Sequence, residues 1–437
     1  MQINPVKGTH DIVNEDSNIY QSMDMLAKII SSSYCYNYIA TPILEHTNLF
    51  QRSVGESSDI VNKEMYTFLD KGGRSLTLRP EMTAGVMRSV VSNKLYANAD
   101  LPLRYYYFGP CFRYERPQAG RYRQFHQYGV ELIGAQTIYD DIEVILLGKE
   151  YLDSNGVNGI QISINTLGDD ETRENYKKAL KEYFSQHIDN MCEDCKRRFQ
   201  VNPLRILDCK VPEDQEIVKN APRIRDYLSD SAKQYFDQII AELDECKIDY
   251  VIDDNLVRGL DYYTGIVFEY HLNSLPQLGA IGGGGHYKNL LKEVGGPDLE
   301  GVGLSIGVER AIEAIKTLHP KNEFIINRPS FYIMCLNDEC VKAGFTLASI
   351  LRKHGFIVEQ SYEVKSFKAQ FKIAERKKCL FAIIVGDDEV KNETIKVKNL
   401  KTQEQTEIAA KDAINVLASL LRDYESEDEC EKKEEEK

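Results

Sequence analysis

The residues best suited to chemistry in this sequence are arginines, and they come in three settings. Arg113, Arg116, Arg121 and Arg123 crowd around Pro117-Gln118-Ala119-Gly120, a set of turn formers. A lone arginine in an extended segment is usually a surface or ion-pair residue. Several beside one turn suit a polyphosphate, because a guanidinium binds phosphate oxygens in pairs. Arg310 closes Gly303-Leu304-Ser305-Ile306-Gly307-Val308-Glu309-Arg310. That stretch reads equally well as a tightly packed strand-to-helix connection or as a strand that a nucleotide can approach, with the arginine aimed at a terminal phosphate. Arg258 lies in Leu256-Val257-Arg258-Gly259-Leu260-Asp261-Tyr262-Tyr263, which by itself is a charged loop entering a strand.

Two further clusters carry polar chemistry. In Arg79-Pro80-Glu81-Met82-Thr83-Ala84, Pro80 suits the first position of a helix and Glu81 its first turn, where the helix dipole favours an anion. The same carboxylate at a pocket floor would bind an ammonium group, and the two readings are compatible. Cys192 and Cys195, with Cys209 later, offer three thiolates for zinc. No fourth Cys or His has matching spacing, and His187 is the nearest. The glycine run before His286 and Tyr287 is not a phosphate-binding P-loop, since no Gly-Lys-Ser/Thr follows it.

These residues need elements to hold them. Residues 103–115 and 123–133 read as the arms of one long β-hairpin. Alternation along a strand puts Arg113 on a face with Cys111, and Gln127 on a face with Glu131. Folding the hairpin about Gly120 sets Arg113 opposite Gln127. Residues 18–36 have helical apolar spacing through Ile19, Met23, Leu26, Ala27 and Ile30. The short extended run Tyr38-Ile39-Ala40 meets Pro42, which suits a sheet edge or an interface. Residues 169–250 are mostly charged helical pattern, with helices near 171–186 and 230–245, and the stretch 191–222 breaks it. After Pro329, strands at 330–336, 356–362, 380–385 and 394–397 alternate with helices at 340–354, 366–378 and 406–422, which implies a small α/β domain.

Composition sets outer bounds. A length of 437 residues corresponds to roughly three domains. No apolar run reaches the ~18 residues of a membrane span, and residues 1–10 lack a signal-peptide pattern, so a cytoplasmic location is expected. Ten cysteines scattered over a chain this long read as free thiols in a reducing compartment. A net charge of −14 argues mildly against nucleic acid. Part of it sits in residues 425–437, with eight acids against three lysines, a run expected to be a solvated, disordered tail.

Taken in order, the segments containing Pro42, Arg113 and Arg310 resemble the three signatures of class II aminoacyl-tRNA synthetases. Residues 256–264 and 283–287 resemble the two histidine-specific signatures of histidyl-tRNA synthetases, the second departing at His286 and Lys288. Ser366-Phe367-Lys368-Ala369-Gln370-Phe371-Lys372 and the strand after it resemble that family's anticodon-binding domain. The resemblance covers about residues 1–420. It implies an α+β catalytic domain on a mixed, mostly antiparallel sheet (1–325, with a helical insertion near 170–245), a C-terminal α/β anticodon-binding domain (329–422) and the acidic tail (423–437). It implies a homodimer that takes ATP with magnesium, L-histidine and tRNA(His), with no zinc and no membrane. Arg113 and Arg258 are the expected catalytic residues, facing the α-phosphate from opposite sides. Arg310, helped by Arg121, is expected at the γ-phosphate. Glu81, Thr83 and Gln127 are expected at the α-ammonium, and Glu131, Tyr262 and Tyr263 around the imidazole. The competing reading is a non-catalytic paralogue serving ATP phosphoribosyltransferase as regulatory subunit. Such proteins lack the C-terminal domain and lose the arginine signature, and this chain keeps both.

Overall fold

The computed structural model describes residues 3–55, 58–97, 99–320 and 328–435, with 425 and 427–435 as backbone only. The chain divides into two units, Met1–Glu323 and Phe324–Lys437. The first is built on an eight-stranded sheet. Its spatial order is Asn37–Tyr38, Leu103–Phe112, Gln124–Ile133, Gly301–Gly307, Ala280–Tyr287, Tyr263–Leu272, Ile160–Thr166 and Tyr250–Ile252. Only the two outermost pairings are parallel, so the sheet is mixed and mostly antiparallel, as the sequence implied. Asn37–Tyr38 is an edge strand, consistent with the nearby proline.

Alternation assigns the two faces. Tyr128, Val130, Leu132, Leu304 and Tyr270 are buried on one of them. Tyr128 stacks on Tyr151 with ring centroids 4.0 Å apart, and the Tyr270 hydroxyl donates to the Ile145 carbonyl at 2.8 Å, both on the helix Ile138–Ser154. A second covering helix, Asn14–Ser33, begins four residues before the expected start and buries Ile19, Met23, Ala27 and Ile30, one stripe at helical spacing. The opposite face carries Tyr107, Gln127, Glu131 and Gly303, and it holds the polar site described below.

The hairpin register differs from the expected one. Arg113 lies opposite Arg123, its amide donating to the Arg123 carbonyl at 2.9 Å, and Gln127 pairs with Gly109. The turn is centred near Gln118, not Gly120. The displacement is an even number of residues, so Arg113 and Gln127 keep a common face.

Residues 170–245 begin and end in the expected helices, Asp170–Ser185 and Asp230–Glu245, capped by the side chains of Asp169 and Ser229. The irregular stretch between them folds into the short helices Glu193–Val201 and Pro212–Val218 and a 3-10 turn at Pro203–Asp208. This insertion has no separate core. Leu180, Phe184, Met191, Cys195 and Ile206 join the same buried cluster as Tyr262, Tyr263 and Tyr287.

In the second unit the strand order is Val358–Gln360, Phe331–Cys335, Phe381–Val385, Thr394–Asn399 and Gln405–Ala409. The first three are parallel and the last two antiparallel. All five residues of Phe331–Cys335 and of Phe381–Val385 are buried, as central strands covered on both faces must be. The helix expected over 406–422 begins only at Ala413, because Gln405–Ala409 adds an edge strand to Thr394–Asn399. The final helix runs Ala413–Glu435, so most of the stretch expected as a disordered tail has helical backbone; Glu436 and Lys437 lie outside the described residues.

Close backbone packing in the central sheet is most severe at Gly284, where an added Cβ would lie 2.0 Å from the Gly303 carbonyl oxygen and 2.8 Å from the Leu304 Cα. Gly284→Ala should therefore lower the stability of the first unit by about 2 kcal/mol or more. Denaturant unfolding followed by tyrosine fluorescence measures this, and an unchanged midpoint would contradict such tight packing.

Candidate active site

The polar face of the sheet contains a buried carboxyl with no cation beside it among the described residues. Glu131 is 1% exposed. It fits because residue 303 on the neighbouring strand is glycine: a Cβ there would come within 2.1 Å of Glu131 Oε2. Glu131 Oε1 accepts from the Thr83 hydroxyl at 2.6 Å and the Tyr107 hydroxyl at 3.2 Å, and Oε2 accepts from the Tyr287 hydroxyl at 2.8 Å. Burial outweighs these bonds and, with the nearby charge of Glu81, pushes the carboxyl pKa up to about 8.

Glu81 shares the neighbourhood. Its oxygens accept the amides of Thr83 at 2.7 Å and Ala84 at 3.0 Å, capping the helix Thr83–Ser92. That helix begins after Glu81, so Pro80 is not its first residue. Burial raises the Glu81 pKa despite the two amides. Tyr262 and Tyr263 close the region, with ring centroids 4.6 Å apart, and Tyr262 meets the Tyr287 ring edge-on at 5.9 Å.

A cavity opens beside this pocket, lined by Glu81, Arg113, Arg121, Gln127, Arg258 and Arg310 together with Glu115, Glu269, Gly282, Gly283, Ser305 and Glu309. Six of the ten expected site residues thus meet in one space. Thr83, Glu131, Tyr262 and Tyr263 form the buried layer behind it. Arg113 Nε donates to the Pro80 carbonyl at 2.8 Å, and its guanidinium sits 5.1 Å over the Phe125 ring. Its Nη1 is 3.7 Å from Glu115, which also lies 4.0 Å from Arg121. Arg310 donates to the Ala280 carbonyl. Burial, then repulsion from Arg121 and Arg113, lowers its pKa to about 10. These cations repel one another until an anion arrives.

Arg258 stands on the far side. Its Nη1 pairs with Glu269 at 2.5 Å, and its guanidinium lies 5.7 Å from the Tyr263 ring centroid. Burial opposes its charge, but Glu269 reverses that and holds its pKa above the usual value. Among the described residues, nothing accepts a hydrogen bond from the buried Arg258 Nε. Across the cavity floor, Glu309 accepts the His126 amide at 2.8 Å and pairs with its ring nitrogen at 2.8 Å, which fixes the start of the Arg310 helix.

His286 and Lys288 do not enter this pocket. A register shift between Gly285 and His286 precedes Tyr287, which points to Glu131, while His286 points to the opposite face. There its ring nitrogens meet Asp141 at 2.9 Å and Glu300 at 3.0 Å. Burial works against charging the ring, but the two carboxylates outweigh it and raise its pKa to about 10. Lys288 is exposed and 3.8 Å from Glu300.

Sequence reasoning did not select Tyr107, Tyr287 or Glu269 as site residues. Alternation was the available signal for two of them: Tyr107 shares a face with Cys111 and Arg113, and Glu269 lies between the buried Phe268 and Tyr270.

Because the folded carboxyl of Glu131 keeps its proton up to about pH 8 while an ordinary one loses it near 4.5, the unfolded chain binds fewer protons across that interval. The ligand-free protein should lose stability as pH rises from 4.5 to about 8, and Glu131→Gln should flatten that slope. Thermal unfolding at several pH values checks this, and parallel slopes for the two proteins would be the contrary result.

Comparison with known proteins gives a consistent answer. Residues 8–311 match the family model described as histidyl-tRNA synthetase, and residues 330–420 match the anticodon binding domain model. A histidine--tRNA ligase of Thermosipho melanesiensis is 46% identical over 403 residues, covering 92% of this chain and 95% of its own. That of Bacillus subtilis is 43% identical over 420 residues, covering 95% and 99%. The crystal structure of apo S. aureus histidyl-tRNA synthetase superposes with a TM-score of 0.80 at 35% identity, covering 95% of this chain and all of that one.

Proposed function

The chain belongs to the histidyl-tRNA synthetase family, and from that premise we propose how its residues activate L-histidine with ATP and pass it to tRNA(His). The histidine carboxylate attacks the α-phosphorus, and the P–O bond to the β-phosphate breaks, giving histidyl-adenylate and pyrophosphate. The terminal ribose hydroxyl of tRNA then attacks the acyl carbon and AMP leaves. Magnesium enters with the ATP as part of the substrate.

The protein's task is to position these groups and to balance charge. Arg113 holds the α-phosphate and the histidine carboxylate from the hairpin side. Arg258, which lines the same cavity and is held charged by Glu269, faces the same phosphate and balances the charge that builds there. The presence of both arginines in the lining of one cavity is the observation that supports the reading. Arg310 and Arg121 take the γ-phosphate, which relieves their mutual repulsion. Glu81, Thr83 and Gln127 receive the α-ammonium. Glu131, Tyr262 and Tyr263 frame the imidazole, and we add Tyr287 to them. A carboxyl titrating near 8 exchanges a proton readily with an imidazole. An amino acid with no ring nitrogen to offer forgoes that exchange, so non-cognate amino acids are bound less well.

We also infer a homodimer formed along the Asn37–Tyr38 edge, where Tyr38, Ile43 and Leu44 are exposed apolar residues. No helix among the described residues is long and apolar enough to cross a membrane, and the expected setting is the cytoplasm.

Two measurements test this. Arg258→Ala should lower histidine-dependent ATP–pyrophosphate exchange by roughly 100-fold or more with the fold intact. Near-normal exchange in that variant removes the proposed role, and absence of exchange with every amino acid in the native protein removes the activity. Sedimentation equilibrium should give a dimer that Tyr38→Glu weakens; a native monomer would contradict the edge interface.

A further inference from the structure

Away from the ATP cavity, the insertion brings four metal-type donors to one point. The sulfurs of Cys192, Cys195 and Cys209 and a carboxylate oxygen of Asp214 all lie within 4.8 Å of one another. The sequence offered three cysteines and only His187 as a fourth donor; folding supplies Asp214 from the helix Pro212–Val218.

We propose that Cys192, Cys195, Cys209 and Asp214 bind a structural zinc ion that braces the loop carrying Arg258. A tetrahedral zinc–thiolate site with bonds of about 2.3 Å places its sulfurs about 3.8 Å apart. The Cys192 and Cys209 sulfurs are 3.9 Å apart, at that spacing and far beyond a disulfide bond. Asp214 is 1% exposed, 3.2 Å from the Cys209 sulfur, and accepts the Cys192 amide at 3.2 Å, so its oxygens are aimed into the cluster. Four compact donors, mostly sulfur, select zinc over magnesium or calcium. Binding releases three thiol protons to solvent and leaves two net negative charges on the site; the nearby Lys196 and Arg198 are paired with Glu193 and Asp59. The alternative is a metal-free cluster in which protonated thiols donate to Asp214.

The brace has a direct path to the loop. Between Cys195 and Cys209, Asn202 donates to Asp261 at 3.2 Å, and Arg205 donates to Asp261 at 2.9 Å and to the Gly259 carbonyl at 3.0 Å. Zinc therefore fixes the segment that grips residues 259–261, next to Arg258.

The test uses the full chain, purified under reducing conditions without chelator from zinc-supplemented medium. Elemental analysis should give close to one zinc per chain, and Cys209→Ser should reduce it to background. Cobalt added to the zinc-stripped native protein should give a thiolate charge-transfer band and intense tetrahedral d–d absorption, both displaced by zinc. Asp214→Asn should release zinc faster to a chelator. The cobalt titration needs no variant, so it decides the matter even if Cys209→Ser does not fold. The proposal is overturned if native protein active in pyrophosphate exchange holds no more zinc than the Cys209→Ser background, or if cobalt gives no thiolate band.

Discussion

The site is organised around one constraint: a carboxyl must be buried without a counter-cation. Removing a carboxylate from water is costly unless it is paired, or becomes neutral, or is surrounded by donors. Glu131 combines the last two. Its proton is retained, and three hydroxyls from three different elements converge on it. Those hydroxyls fix the helix at Thr83, the hairpin arm at Tyr107 and the strand at Tyr287 relative to one another. The gap at Gly303 lets the side chain lie flat against the sheet. Replacing any of these hydroxyls leaves a polar group stranded in a dry interior, so three elements of the fold are tied together at Glu131.

The arginine cavity uses the opposite strategy. Here several cations crowd together, with Glu115 shared between Arg113 and Arg121, and Arg310 held by a carbonyl. Such a site binds a polyanion well because the energy of assembling the cations has already been supplied by folding. Arg113 and Arg121 sit at the hairpin turn, Arg258 in the loop before the strand Tyr263–Leu272, and Arg310 on the helix Val308–Leu318, so the chain brings them together from three separate segments. Arg258 differs in having a partly buried carboxylate, Glu269, beside it, shared with His271, which keeps it charged.

Much of this was legible in the sequence wherever the signal was local. The turn formers at 117–120 and the stripe Ile19, Met23, Ala27, Ile30 gave the hairpin and the first helix, and alternating segments gave the C-terminal α/β sheet. Quoted signatures led to Arg113, Arg258 and Arg310. Non-local features were not readable. Hairpin register depends on how the turn closes, and four residues of slippage preserve every face, so the pattern could not tell Arg123 from Gln127 as the partner of Arg113. Thr406 and Ile408 fit a strand as well as a helix, and the neighbouring strand at 394–399 settles which. Glu269 acquires meaning only once Arg258 is placed beside it, and Tyr287, though inside the second signature, gains its partner Glu131 only in the fold. Asp214 is five residues beyond Cys209, a spacing no thiolate pattern would flag.

The continuity of the insertion's core with the tyrosines behind the cavity has a thermodynamic reading. Because Phe184, Met191 and Ile206 pack in one cluster with Tyr262, Tyr263 and Tyr287, the two regions open to solvent together and form one cooperative unit. Amide protons around Asp261 and those of the helix Asp170–Ser185 then share a common opening free energy. Whatever grips the insertion from outside acts on the same equilibrium that keeps the tyrosine cluster closed. A contact remote from the cavity thereby changes how often that cluster is intact, without needing to displace a single side chain that lines it.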